Sequence, residues 1–323
     1  MKVSSNRPSR AVNPGAVLFY GLIGFLIFAP LFRGGNRSLP LLVMELLAVG
    51  LLTWRFWQPP SGGQPLSWSV RVFLALLFLA PLTQLIQLPF DLWAELPGRV
   101  FYAEALRQAS IDDAGIGWRS LSLIPAATES SWLALLPPLA VFLAAVNLSS
   151  RQLTTLVLVF LGVATGEAFL GLIQYGDGPD SVFRLGNFLM GDSASGTYIN
   201  RNHLAGLLEM ALPIALALLA ATVGQGRPPH SRGRSHRQRT FRQWLARFSV
   251  ARINQAAIFA ALALVILLGL IFTRSRAGVA LAMLGILLCT LLFANRLGGR
   301  NVYGWMGTFT ATGISLASLV GLA

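Results

Sequence analysis

Long apolar runs separated by short polar segments recur along the whole chain, and apolar and polar residues do not alternate within the runs. A helix needs about 20 mainly apolar residues to cross a membrane. Backbone groups inside a membrane must be paired, which leaves helices or closed barrels, and runs without period-two alternation favour helices. The pattern predicts about nine spans, near residues 14–32, 39–57, 70–90, 132–148, 153–175, 203–223, 256–272, 279–294 and 302–323.

The predicted fold is all-α, a single polytopic transmembrane domain over residues 1–323. Composition agrees with this prediction, because 54% of residues are hydrophobic and only 11% are charged, whereas soluble domains carry roughly 25% charged residues. The first apolar run follows a basic amino terminus, as a signal peptide does, but no small-residue cleavage site ends it. We expect it to stay attached as the first span.

Charged residues are few but strongly biased: the formal net charge is +13, and 24 of the 25 basic residues are arginine. Cationic loops mark the cytoplasmic side of membrane proteins, so the basic excess predicts no nucleic-acid partner. Segment 224–255 holds eight arginines and no acid, whereas nine of the twelve acids fall in segments on the other side. This asymmetry predicts a cytoplasmic amino terminus and a basic cytoplasmic loop over 224–255.

The basic loop has two interpretations. Its arginines either fix the topology alone or also bind anionic membrane lipid. Apolar residues at near-helical spacing within 241–248 favour an amphipathic helix on the membrane surface. The single cysteine, Cys289, lies in an apolar run, so no intrachain disulfide is predicted.

The first polar cluster is GTYINRNHLAG at residues 196–206, at the start of an apolar run. Asn200, Arg201, Asn202 and His203 form its polar entry, and an asparagine there is predicted to cap the helix. A helix start also attracts anions, and Arg201 adds a charge that binds phosphate through two parallel hydrogen bonds. The alternative is a simple helix cap whose arginine reaches the lipid headgroups.

Three acids, Glu45, Glu167 and Glu209, lie inside predicted spans. Glu209 is roughly 10 Å along its helix from Asn202 and shares the same face. A carboxylate in apolar surroundings requires a partner or a proton. Each acid is therefore predicted to be paired or protonated, with a partner that residue spacing does not identify.

The second polar cluster is TRSRAG at residues 273–278, between two apolar runs. It falls on the predicted outer face, where the positive-inside bias disfavours a simple loop anchor. Arg274 and Arg276, together with Arg201, would place three guanidinium groups on one membrane face. Arginine stays charged and its planar fork matches phosphate oxygens, so these residues predict a site for a membrane-embedded diphosphate.

These two clusters resemble the O-antigen ligase and polymerase superfamily of bacterial envelope glycosyltransferases. The resemblance rests on GTYINRNHLAG at 196–206, followed by an apolar helix with Pro213, and on FTRSRAG at 272–278. A weaker likeness is LSLIPAAT at 121–128, just before a predicted span. The likeness is strongest over residues 180–300 within a family-like core of about 155–323.

The resemblance implies an activity in the bacterial inner membrane. Family members transfer a glycan from an undecaprenyl diphosphate carrier to a lipid or polysaccharide acceptor at the periplasmic face, as in lipopolysaccharide biosynthesis, without a metal or other cofactor. By resemblance, Arg276 and Arg201 hold the diphosphate and stabilise it as the leaving group. The other predicted substrate-binding residues are Asn200, Asn202, His203, Glu209, Arg274 and Ser275.

The chain departs from the family pattern at its carboxy-terminal side. The family fold implies about a dozen spans and a periplasmic-loop histidine that activates the acceptor, but no histidine follows His236 here. His203 belongs to the helix-entry cluster, and His230 and His236 fall in the predicted cytoplasmic loop. We therefore expect a catalytically incomplete chain, which is either a truncated or split gene product or is completed by a second chain.

Two other function classes stay open. A solute transporter or permease would use Glu45, Glu167 and Glu209 to line a polar path, and uptake would then depend on Glu209. A non-catalytic membrane scaffold would leave Arg276 dispensable. Binding of a polyprenyl diphosphate distinguishes the glycosyltransferase-like function from both alternatives.

Overall fold

The computed structural model describes residues 14–31, 38–58, 65–109, 117–184, 191–224 and 250–294. Regular structure in these ranges is nearly all helical, which confirms the all-α prediction for this part of the chain. The helices are α1 Pro14–Leu31, α2 Ser38–Trp57, α3 Trp68–Thr83, α4 Phe90–Ala94, α5 Val100–Ala109, α6 Pro125–Leu133, α7 Leu136–Ala145, α8 Ser150–Asp177, α9 Arg201–Gly224, α10 Val250–Phe272 and α11 Arg276–Ala294. A short 3₁₀ turn covers Val182–Arg184, and two short strands, β1 Gln87–Leu88 and β2 Arg119–Ser120, form an antiparallel pair.

In the part of the chain that the structure describes, five helical stretches are long and apolar enough to cross a membrane, so the chain is a helical membrane protein. They are Ser38–Trp57, Pro125–Ala145, Ser150–Asp177, Arg201–Val223 and Ala251–Phe272. Three shorter apolar helices, Gly15–Leu31, Trp68–Thr83 and Arg276–Leu291, fall at further predicted spans. The predicted number of nine is not confirmed. Span 302–323 and most of loop 224–255 lie outside the described residues.

Two of the predicted spans differ from the helices in the structure. The span predicted at 70–90 ends at Thr83, after which the chain turns and pairs Gln87 with Ser120. The span predicted at 132–148 begins earlier, at Pro125, and is formed by α6 and α7, which are separated by a turn. Prolines at the start of α7 have no N–H to donate, so the helical hydrogen bonds are interrupted there.

The chain divides into two compact units. Unit 1 comprises residues 1–22 and 41–152, and unit 2 comprises residues 23–40 and 153–323. In unit 1, the ring of Trp132 on α6 packs edge-to-face against Phe78 of α3, with centroids 5.5 Å apart. The indole N–H of Trp132 also donates to the Phe78 carbonyl at 3.0 Å, which ties α3 to α6.

In unit 2, helices α9 and α11 are held together through small residues. A β-carbon placed on Gly278 of α11 would lie 2.6 Å from that of Ala205 on α9, and one on Gly285 would lie 3.0 Å from the Pro213 ring. Small residues of this kind let helix backbones approach closely in membranes. The contacts advance in the same direction along both helices, so α9 and α11 run parallel and begin side by side.

Helices α8 and α10 complete this bundle. A β-carbon on Gly269, near the end of α10, would lie 2.7 Å from that of Ala168 on α8 and 3.2 Å from Leu208 near the start of α9. Buried apolar side chains from the four helices fill the centre, among them Leu161, Leu204, Leu208, Ile266 and Val279. The ends of α8 and α10 therefore lie at the same end of the bundle as the starts of α9 and α11.

The second half of α1 also belongs to unit 2. The hydroxyl of Thr197, in the loop before α9, donates to the carbonyl of Pro30 in the last turn of α1. Carbonyls in the last turn of a helix have no partner within the helix, so this hydroxyl satisfies one of them. The contact joins residues 167 positions apart in the chain.

Candidate functional site

The loop before α9, described from residue 191 to 200, is held by Gln174 of α8. This side chain is fully buried. Its amide nitrogen donates to the carbonyls of Phe183 and Gly196 at 2.9 and 2.7 Å. Its amide oxygen accepts the N–H groups of Ser195 and Gly196 at 3.3 and 2.9 Å. Every polar atom of the amide is therefore used to fix the loop.

Arg184 is only 1% exposed. Its side chain connects the end of α8 with the same loop by donating to backbone carbonyls of both. Its guanidinium donates to the carbonyls of Gly178 (2.9 Å), Ser193 (3.2 Å), Gln174 (2.9 Å) and Gly191 (3.0 Å). Burial lowers the pKa of Arg184, and the charge of Asp192 opposes that shift. Arginine remains protonated in proteins, so Arg184 is a fixed structural cation.

Glu167 of α8 has the partner that the sequence left open. Its carboxylate accepts the Thr197 N–H at 2.8 Å. Its other oxygen lies 2.9 Å from the Thr197 hydroxyl, whose single proton is shared between Glu167 and the Pro30 carbonyl. Glu167 therefore has a hydrogen-bond partner, Thr197, and whether it also carries a proton stays a prediction. Glu209 is half-buried in α9, and the carboxylates of Glu209 and Glu45 have no hydrogen bond or ion pair to another described residue.

The polar entry of α9 presents most of its side chains at the end of the bundle. The Asn200 side chain accepts the Asn202 N–H at 2.9 Å, which confirms the predicted asparagine cap. Arg201, the first residue of the helix, has a side chain that is 34% exposed. Asn202 and His203 are exposed, so they are accessible to a ligand.

The turn between α10 and α11 is buried except for its arginines. The Ser275 hydroxyl accepts the Gly278 N–H at 3.2 Å and caps α11, while the Thr273 hydroxyl accepts the Ser275 N–H at 3.2 Å. Ser275 is therefore engaged in the turn, and its role in substrate binding stays a prediction. The Ala194 N–H donates to the Phe272 carbonyl at 2.8 Å, which joins this turn to the loop before α9.

Arg274 has a left-handed backbone with φ of +55°, which no other non-glycine residue of the described chain adopts. Its guanidinium carbon lies 5.9 Å from the ring centroid of Tyr175. Helices commonly end in this conformation with glycine, since a β-carbon there is strained by about 1–2 kcal/mol. The backbone at Arg274 is therefore strained.

We predict that Arg274→Gly stabilises the fold by about 1 kcal/mol, because glycine adopts the left-handed conformation without strain. Arg274→Ala is the matched control, since it also removes the guanidinium but keeps the strained backbone. Thermal unfolding can be followed with a thiol-reactive dye at the half-buried Cys289. Equal midpoints for the two variants would contradict the prediction.

Asp192 brings two of the predicted arginines together. Its Oδ1 lies 3.9 Å from a terminal nitrogen of Arg201, and its Oδ2 lies 3.5 Å from one of Arg274. The two guanidinium groups come from different helix junctions and meet at one carboxylate. Sequence reasoning counted Asp192 only as an acid on the outer side.

Arg276 completes the set as the first residue of α11. It is exposed and has no hydrogen bond or ion pair to the residues that the structure describes. Because α9 and α11 begin side by side, Arg276 and Arg201 occupy equivalent first positions of two parallel helices. Two positive dipole ends and three guanidinium groups at one end of the bundle favour an anionic ligand.

Sequence reasoning missed the residues that fix the site: Gln174, Arg184, Asp192 and Thr197. One available signal was the spacing on α8, where Glu167 and Gln174 are seven residues apart in an otherwise apolar segment and so share one face. Both side chains turn out to bind the loop before α9. Arg184 and Asp192 had no local signal that separates them from ordinary loop charges.

A metal site and a cavity are two other features that could bind a ligand in the described residues. Those residues contain no group of three His, Cys, Asp or Glu side chains placed to hold a metal ion. A cavity of about 300 Å³ lies in unit 1, lined by Pro89, Phe90, Asp91, Arg107, Gly117 and Trp118. None of the predicted site residues lines that cavity.

Comparisons with protein-family models, curated proteins and solved structures found no match to this chain. The resemblance to O-antigen ligases and polymerases therefore stays a prediction from the two polar clusters.

Proposed function

We propose that this chain binds an undecaprenyl diphosphate-linked glycan at the periplasmic face of the bacterial inner membrane, as part of a glycosyltransferase similar to O-antigen ligases and polymerases. The convergence of Arg201 and Arg274, 3.9 and 3.5 Å from the two oxygens of Asp192, carries the proposal. Two guanidinium groups at this spacing suit one diphosphate, because each offers paired N–H donors to phosphate oxygens.

The paired helix starts support the same ligand. Arg201 and Arg276 stand at the first positions of α9 and α11, where free N–H groups and the helix dipoles attract negative charge. In glycan transfer, the bond between the sugar and the diphosphate breaks and charge develops on the departing oxygen. Arg276 and Arg201 would stabilise that charge.

The charge asymmetry of the sequence supports an orientation with a cytoplasmic amino terminus. The basic loop 224–255 would then face the cytoplasm, near anionic lipid, and the starts of α9 and α11 would face the periplasm. In this orientation the arginines meet the carrier on the side where its glycan is exposed. We assign no side chain of this cluster as the base that activates the lipid or glycan acceptor, and a second chain stays a predicted partner for that step.

The test is binding of an undecaprenyl diphosphate-linked sugar to the purified full chain. We predict that Arg201→Ala and Arg276→Ala each weaken binding by roughly tenfold or more, since a charge-assisted contact contributes about 1.5–3 kcal/mol. Thermal unfolding should change little, because both side chains are at least partly exposed.

Arg252→Ala is the matched control, since Arg252 is exposed near the start of α10, at the opposite end of that helix from Phe272. It should leave binding unchanged. If the wild type does not bind, or if all three variants bind equally well, the diphosphate site is wrong. Uptake of a solute that depends on Glu209 would then favour a transporter, and an inert chain would favour a scaffold.

A further inference from the structure

Asp192 occupies the position that a ligand anion would take. Each of its two oxygens faces one guanidinium group, Oδ1 toward Arg201 and Oδ2 toward Arg274. A phosphate bound between the same arginines would present its oxygens in the same way. The carboxylate is 65% exposed, so the interaction is open to exchange with an incoming anion.

The backbone next to Asp192 is fixed by hydrogen bonds, whereas Arg201 and Arg274 approach it only through their side chains. The next residue, Ser193, accepts a hydrogen bond from the buried Arg184 through its carbonyl, and Ala194 donates to Phe272. Arg201 and Arg274 reach Asp192 through long, partly exposed side chains. A ligand that binds between these arginines therefore has to compete with the Asp192 carboxylate for both guanidinium groups.

Charge determines which ligands can do this. The two arginines and Asp192 together carry a net charge of +1, so a headgroup with one negative charge gains little by replacing a carboxylate of equal charge. A diphosphate carries more negative charge and more acceptor oxygens than Asp192. It can therefore bind both guanidinium groups more strongly than the carboxylate does. Exposed ion pairs are individually weak, so displacing Asp192 from the two arginines costs such a ligand little free energy.

We propose that Asp192 is a specificity-determining residue, an internal competitor that keeps single-charge phospholipid headgroups out of the arginine pair and admits diphosphates. Anionic phospholipid is abundant in the membrane around the site, and without Asp192 it would fill a pair of bare guanidinium groups. This inference rests on the proposed function, because it takes the diphosphate carrier as the ligand that is admitted.

The experiment measures binding of undecaprenyl diphosphate to the full chain in lipid nanodiscs, with and without phosphatidylglycerol as the single-charge competitor. Asp192→Asn keeps the shape of the side chain and removes its charge. We expect phosphatidylglycerol to compete roughly fivefold or more effectively against this variant than against the wild type. Asp180→Asn is the matched control: Asp180 is an exposed acid on the same connection between α8 and α9, and its loss changes the net charge equally.

The outcomes separate this inference from the proposed function. If phosphatidylglycerol competes with diphosphate equally well in Asp192→Asn, in Asp180→Asn and in the wild type, the competitor role of Asp192 is wrong. If Asp192→Asn instead weakens diphosphate binding, Asp192 positions the arginines and the inference is also overturned. If neither the wild type nor any variant binds diphosphate, but Asp192→Asn binds phosphatidylglycerol more tightly than the wild type, the exclusion of single-charge lipid stands and the proposed function fails.

Discussion

Replacing Gly196 by alanine is expected to disrupt the loop before α9. Gly196 has φ of +60°, and a β-carbon there would overlap the Glu167 carboxylate and lie 3.2 Å from the Glu167 carbonyl oxygen. The carboxylate cannot move aside freely, because it accepts the Thr197 N–H and contacts the Thr197 hydroxyl. Backbone strain and overpacking together should lower the free energy of unfolding by roughly 2–5 kcal/mol.

Gly206→Ala is the matched control for this prediction. Gly206 lies in α9, and a β-carbon there would meet nothing within 4 Å. Alanine favours the helix by about 0.5–1 kcal/mol over glycine, so this variant should be as stable as the wild type or slightly more stable. Thermal unfolding measured at Cys289 compares the two variants directly. Equal losses of stability in both would show that the strain at Gly196 has been misjudged.

The second large effect is expected from Arg184→Ala. The substitution removes a buried side chain and leaves four backbone carbonyls without their donor. Charge-assisted hydrogen bonds contribute about 1.5–3 kcal/mol each, so a loss of at least about 3 kcal/mol is expected even if water enters the space. Arg184→Lys should recover only part of it, because a single ammonium group cannot replace the planar fork.

Arg276→Ala provides the comparison for Arg184→Ala, since it deletes an arginine that is exposed. Its stability should stay within about 0.5 kcal/mol of the wild type. The two arginines therefore predict opposite phenotypes: one variant unfolds readily, and the other folds normally but loses the diphosphate. A protein in which both substitutions affect only folding would have no ligand site at Arg276.

Features that depend on neighbouring residues could be predicted from the sequence. The membrane helices follow from the length of the apolar runs, and the Asn200 cap follows from an asparagine at the start of such a run. The early end of α3 could not be predicted, because it accompanies the pairing of Gln87 with Ser120, more than thirty residues later.

The candidate site shows the same limit. Arg201, Arg274 and Arg276 were predicted from their chemistry, but their relation to Asp192 depends on how four helices pack. Thr197 and Glu167 are 30 residues apart, and nothing in their spacing identifies them as partners. The left-handed backbone of Arg274 could not be predicted either, because this conformation at the end of a helix is usually recognised by a glycine.

The hydrogen bond from Thr197 to Pro30 has a consequence for the biogenesis of the protein. Helix α1 is synthesised before the loop that binds it, and Thr197 emerges from the ribosome 167 residues after Pro30. At typical rates of synthesis this delay is roughly 10–30 s. During that interval the end of α1 stands in the bilayer without the loop that later binds it. The loop that binds α1 follows α8 in the chain, and the arginine site also needs Arg274 and Arg276, so this site is assembled only after α1 to α10 have been synthesised.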